Sequence, residues 1–204
     1  SASNPDFRKY WLLHSIEEPM LEGNTFTVRR TKDGDSGMLH NTVLLPQADN
    51  LRIDKVGGPG KENWVFGTNY PNDAVAPYLD NANERVEVSP AAPAVTDNFL
   101  NVIQVADNRC NKLNAVQRIE DDRIVGVQLA DRVVTFARSS EPLQKDFTLT
   151  VNGTGTYKFV ITDLKAGNWQ VKKDGRVFIP LTEVQASDGV LTFEGSAGSY
   201  EFCR

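Results

Sequence analysis

The sequence predicts an all-β chain: an antiparallel β-sandwich followed by a second, smaller β-sandwich domain. Three observations carry that expectation. Apolar residues recur at every second position, the period of a strand. Helical periodicity is scarce. Glycine, asparagine and aspartate punctuate the alternating runs, and these residues accept the positive φ that tight turns need.

The first run, Tyr10–Ile16, places Tyr10, Leu12, His14 and Ile16 on one face and Trp11, Leu13 and Ser15 on the other. Both faces are largely apolar, so this strand is expected to be covered on both sides. Thr25–Arg30 sets Phe26 and Val28 against Thr25, Thr27 and Arg29, the pattern of a half-buried strand. Met38–Leu45 alternates again, and Pro46 stops it because proline cannot donate to a ladder. Asp33-Gly34 between these runs is the strongest hairpin signal, and Asp174-Gly175 is a second. Further strands are expected at Leu51–Val56, Trp64–Gly67, Arg85–Ser89, Phe99–Ala106, Asn114–Ile119, Arg123–Leu129 and Arg132–Arg138. The stretch from Gly67 to Asp97, rich in Pro, Asn, Asp and Ala, reads as long surface loops around one strand.

A polar, proline-broken stretch at Ser139-Ser140-Glu141-Pro142 sets the expected division into 1–140 and 141–204, with a boundary near Asp107 as its rival. Beyond it lie short runs at Asp146–Val151, Tyr157–Leu164, Asn168–Lys173, Arg176–Leu181, Val190–Phe193 and Ser199–Cys203. Gly153, Gly155, Gly167, Gly175, Gly189, Gly195 and Gly198 separate them, which suggests a small sandwich of short strands.

Composition excludes several classes. A chain of 204 residues holds one good core or two small ones. Negative mean hydropathy and the lack of a long apolar run exclude a membrane-spanning helix. The start, SASNPDFRKYW, has no basic segment followed by an apolar one, so any export signal is expected in a longer precursor. Net charge is −5 with Lys and Arg dispersed among acids, which disfavours a nucleic-acid surface or a polyanion grip. Cys110 and Cys203 are far apart and form no CxxC, so two free thiols are expected.

Several motifs dissolve on inspection. Gly57-Gly58-Pro59-Gly60-Lys61 lacks the glycine spacing of a phosphate loop, and Glu62 stands where Ser or Thr is needed. Asp33, Asp35 and Gly37 lack the third donor and distal Glu of a calcium loop. Glu17-Glu18 and Asp121-Asp122 are adjacent pairs, which point to opposite faces when extended. Trp64 and Trp169 read as core; Tyr70 and Tyr78 lie in loop-like sequence and are better candidates for exposure.

Longer phrases carry a resemblance. WLLHSIEEP (Trp11–Pro19), EGNTFTVRRTKDGDSGML (Glu22–Leu39), VLLP (Val43–Pro46) and GGPGKENWVFGTNYPND (Gly57–Asp73) are followed by LNVIQVADN (Leu100–Asn108) and VGVQLADRVVTF (Val125–Phe136), then by YKFVITDL and NWQVKKDG. Together they resemble the late segment of the heparinase II type of polysaccharide lyase, which acts on heparin and heparan sulfate. The resemblance covers the whole chain but only the final portion of such an enzyme. It implies the later part of a central β-sandwich domain over 1–140 and a small C-terminal β domain over 141–204. Neither cysteine belongs to the family pattern.

Such lyases cleave by β-elimination, with tyrosine and histidine moving protons. The resemblance implies that these residues, and the family zinc site, lie upstream in a helical toroid and the early central domain. No catalytic residue, metal ligand or cofactor is therefore assigned to this chain. His14 reads as a structural strand histidine. His40, Asn41 and Tyr70 are the candidate substrate-binding residues. The implied partners are the upstream lyase domains and, through the parent enzyme, a sulfated glycosaminoglycan, with neither nucleic acid nor membrane. The implied setting is the bacterial periplasm. A carbohydrate-binding module and a structural or homodimerising domain are the competing readings.

Overall fold

The computed structural model describes residues 1–70, 83–110 and 112–204. It is all-β, with one short 3-10 turn at Ala48–Asn50 among the described residues. No helix in them is long and apolar enough to cross a membrane. The chain divides into two compact units, Ser1–Leu113 and Asn114–Arg204.

The first unit holds β1 (Trp11–Ser15), β2 (Met20–Glu22), β3 (Thr25–Lys32), β4 (Asp35–Leu45), β5 (Leu51–Gly57), β6 (Trp64–Val65), β7 (Thr68–Asn69), β8 (Glu84–Pro90) and β9 (Leu100–Ala106). They form antiparallel sheets in the orders β1-β8-β5 and β2-β3-β4-β9, plus the β6–β7 hairpin. Phe26 and Val43 from the larger sheet meet Val86 and Val88 from the smaller one, so the two sheets make a sandwich. Trp11, Leu13, Leu39 and Ile53 extend this core, and the Trp11 and Phe26 rings lie 6.3 Å apart. Asp33 and Gly34 both take positive φ, as the hairpin signal requires. The two-sided cover expected for Tyr10–Ile16 is corrected: Tyr10, Leu12 and Ile16 are exposed. β1 is an edge strand whose one inner face meets the core, and its apolar outer face stays open. Trp64–Gly67, expected as one strand, is half of a hairpin.

The second unit holds β10 (Val116–Glu120), β11 (Ile124–Leu129), β12 (Arg132–Ala137), β13 (Phe147–Ile161), β14 (Gly167–Lys173), β15 (Arg176–Val184) and β16 (Leu191–Cys203). All join one sheet, in the order β10-β11-β12-β13-β16-β14-β15. The division expected at Ser140 is therefore displaced. β12 pairs in parallel with β13, from Arg132↔Lys158 to Thr135↔Ile161. The polar stretch around Pro142 is a crossover within one sheet, as parallel pairing demands.

Two strands expected to break at glycines run through them. β13 and β16 pair along both of their arms, and their register shifts between Val151 and Thr156. Both strands bend there. Phe193 and Tyr200, seven residues apart on β16, would be separated by roughly 23 Å in a straight strand. Their rings lie 5.7 Å apart. Tyr200 also meets Phe159 at 4.7 Å, so the two arms of the sheet close on a common aromatic core. Phe147 stacks on Phe202, and Phe159 on Phe193, each at 4.5 Å.

Tyrosine hydroxyls hold both bends. Tyr157 Oη donates to Asn152 O at 3.2 Å, and Tyr200 Oη donates to Ser196 O at 2.5 Å. A Cβ on Gly153 would collide with the first hydroxyl and one on Gly195 with the second. Burial, with the Asp174 carboxylate adding, pushes the Tyr200 hydroxyl up to about 12.

Two outcomes follow for chemical denaturation. Gly195→Ala destabilises the second unit by about 2 kcal/mol, because the buried Tyr200 ring has no room to retreat. Tyr200→Phe costs about 1 kcal/mol at neutral pH. The folded state resists ionising Tyr200 above the ordinary value of 10.0. Its contribution is therefore whole below pH 10 and is lost as pH rises toward about 12. The phenylalanine variant shows a shallower loss of stability across that window; an unchanged slope contradicts the assignment.

Candidate functional site

His40 sits in the middle of β4, half-buried, between Thr27 on β3 and Gln104 on β9. Its Nδ1 lies 2.8 Å from Thr27 Oγ1. That bond fixes the ring against the sheet and leaves Nε2 as the remaining polar atom. Asn41 is next in the strand and so faces the other way. It is fully buried, in the same row as Phe26, and its Nδ2 donates to Asn101 Oδ1 at 3.0 Å. The expectation that Asn41 contacts a surface ligand beside His40 is corrected: alternation turns its side chain into the sandwich.

Tyr70 is 56% exposed and follows β7, its amide donating to Asn63 O at 3.3 Å. It belongs to the hairpin and His40 to the four-stranded sheet, and no hydrogen bond or ring contact among the described residues joins them. Asn41, buried on the opposite face, does not join His40 in a surface site. Tyr78 lies outside the described residues.

His14 is exposed on β1 opposite Arg85. Arg85 is itself paired with Glu87 at 2.6 Å. Neither histidine faces a carboxylate among the described residues in the way a proton shuttle requires. Nor does any group of three or more His, Cys, Asp or Glu in those residues form a cluster able to hold a metal. Asp121 serves a turn: its Oδ1 accepts from the amides of Arg123 and Ile124 at 2.7 and 3.0 Å. Both cysteines are free thiols.

The most built surface feature is the β6–β7 hairpin. Glu62 Oε1 accepts from Gly60 N at 2.9 Å, and Oε2 accepts from Asn69 Nδ2 at 3.1 Å. Asn69 Oδ1 in turn accepts from Asn63 N at 2.8 Å. Lys61 Nζ stands 5.6 Å from the centre of the half-buried Trp64 ring. Beyond this braced base the tip is apolar, with Phe66 99% exposed. Reading Trp64–Gly67 as a strand missed this feature. The signal that finds it is Phe66-Gly67, a turn pair between residues able to extend.

Amide hydrogens of Glu62 and Gly60, and then the Asn69 side chain, hold the Glu62 carboxyl below its ordinary value of 4.5. Its bracing is present above pH 4.5 and is lost as pH falls through the lowered value. Amide resonances of residues 60–69 shift in that acid range, and Glu62→Gln abolishes the transition. Resonances that titrate alike in both proteins contradict the brace.

Comparison with curated proteins returns no match. A scan against protein families matches residues 118–204 to the heparinase II C-terminal domain. The match begins inside β10 and runs to the last residue, so it follows the seven-stranded sheet. Residues 118–204 are thus similar to the heparinase II C-terminal domain, which supports a heparinase II-type C-terminal portion.

Proposed function

We propose that this chain is the non-catalytic β portion of a heparin or heparan sulfate lyase. It supports upstream domains that cleave the glycosaminoglycan by β-elimination, in a protein exported to the bacterial periplasm. The observation that carries the reading is the family match over the second unit. Geometry in the first unit supports it. β-Elimination needs a base beside the proton at the uronate carbon and an acid beside the leaving oxygen, both within hydrogen-bond reach. His40 is instead tied to Thr27 through Nδ1, and His14 stands opposite Arg85. The scaffold's task is to hold a wall of the parent enzyme in place, and a self-contained core suits that task. Tyrosine, histidine and zinc chemistry belongs to the upstream part in this reading.

The test is the absorbance of newly formed unsaturated uronate when the chain alone meets heparin or heparan sulfate. No turnover is expected. In the parent enzyme, His40→Ala and His14→Ala leave kcat within about twofold, since neither removes a transition-state interaction. Robust turnover by this chain alone, or loss of kcat in either histidine variant with folding intact, overturns the assignment.

A further inference from the structure

Asn152 and Gly153 form the one Asn-Gly pair in the sequence. Both are exposed, and both lie in the bend of β13. The register with β16 passes from Val151↔Gly198 to Thr156↔Ser196 and gives residues 152–155 no partner. No hydrogen bond among the described residues engages the Asn152 side-chain amide. Asparagine is a thermolabile residue, because a backbone nitrogen one residue on can attack its side-chain carbonyl. Glycine obstructs that attack least, having no side chain.

The Asn152 backbone carbonyl, by contrast, is held twice. Gln128 Nε2 donates to it at 2.8 Å and Tyr157 Oη at 3.2 Å. Peptide resonance joins this oxygen to the Gly153 nitrogen, so deprotonating that amide places negative charge on the oxygen. Donors already aimed at the oxygen stabilise the charge as it develops. The contacts that fasten the bend therefore also activate the nucleophile beside it.

We infer that Asn152 is a self-modification site, where the bend converts its own asparagine to an aspartyl or isoaspartyl residue. The Gly153 nitrogen gives its proton to solvent and attacks Asn152 Cγ. The N–Cγ bond forms, the Cγ–Nδ2 bond breaks, and Nδ2 leaves as ammonia with a proton from water. Water then opens the cyclic imide. Opening at Cγ gives aspartate; opening at the backbone carbonyl gives isoaspartate, whose main chain runs through Cβ and Cγ. The net change is water in and ammonia out, with no oxidant, reductant or cofactor. Isoaspartate inserts a carbon into the backbone at the bend and displaces the carbonyl that Gln128 and Tyr157 hold. The bend cannot shed this weak point by exchanging Gly153, since a Cβ there collides with Tyr157 Oη. The site rests on the bend alone and holds or fails without the lyase reading.

Peptide mapping by mass spectrometry tests it on the whole chain, folded and aged in mildly alkaline buffer, with isoaspartate scored by enzymatic methylation of its carboxyl. The wild type is expected to convert at Asn152 ahead of every other asparagine. Gln128→Leu and Tyr157→Phe each remove one donor and slow the conversion severalfold. Asn152→Asp carries the new charge without the inserted carbon and melts like the fresh wild type. Aged wild type gains a lower-melting fraction that grows with its isoaspartate content. Conversion at Asn152 in urea but not in the folded chain overturns the inference. So does either donor variant, still folded, that converts as fast as the wild type, or isoaspartate that accumulates at Asn152 with the melting curve unchanged.

Discussion

The bend shared by β13 and β16 is the constraint on which the second unit depends. These two strands pair along both of their arms, so neither can fold over without the other. Glycines at 153 and 195 make room, and the Tyr157 and Tyr200 hydroxyls occupy that room while bonding to the strand backbone just before them. Once bent, the pair brings Phe147, Phe159, Phe193, Tyr200 and Phe202 into one cluster. Large rings bury the most apolar area per residue, so this cluster dominates the unit's cohesion. β10 to β12 and β14 to β15 then flank the pair on either side in the same sheet.

The first unit obeys a simpler rule. Two sheets face one another, and every second residue of a strand enters the core between them. That rule separates the residues that look like a site in one dimension. His40 and Asn41 are neighbours in sequence, yet one lies against Thr27 and the other lies buried beside Phe26. Acid–base chemistry requires convergent groups, and this strand alternation separates them. The scaffold role we propose draws on geometry of this kind as well as on the similarity of residues 118–204 to the heparinase II C-terminal domain.

Much of the fold is legible in the residues because period-two alternation and Asp-Gly turns act locally. Asp33-Gly34 and Asp174-Gly175 both adopt the positive φ their identities suggest. The bends are not legible, since a glycine that ends a strand and one that lets it turn a corner look alike in sequence. Telling them apart requires knowing that Tyr200 closes over Gly195. The unit boundary is hidden for a related reason. A polar run with a proline can link two domains or cross over within one sheet, and the parallel β12–β13 pairing decides between them. Of the candidate site residues, Tyr70 is exposed as its loop-like context suggests. Asn41 is a polar residue inside the sandwich, and only its Asn101 partner, far away in sequence, makes that burial intelligible.

The most direct measurement compares two fragments by thermal unfolding and amide chemical-shift dispersion: residues 114–204, and residues 141–204, which lack β10 to β12. If the bent pair and its flanking strands form one self-contained unit, the longer fragment unfolds cooperatively with dispersed resonances. The shorter one, deprived of Ile119, Ile124 and Val133 from the core, does not. A shorter fragment that folds as cooperatively as the longer one contradicts this account.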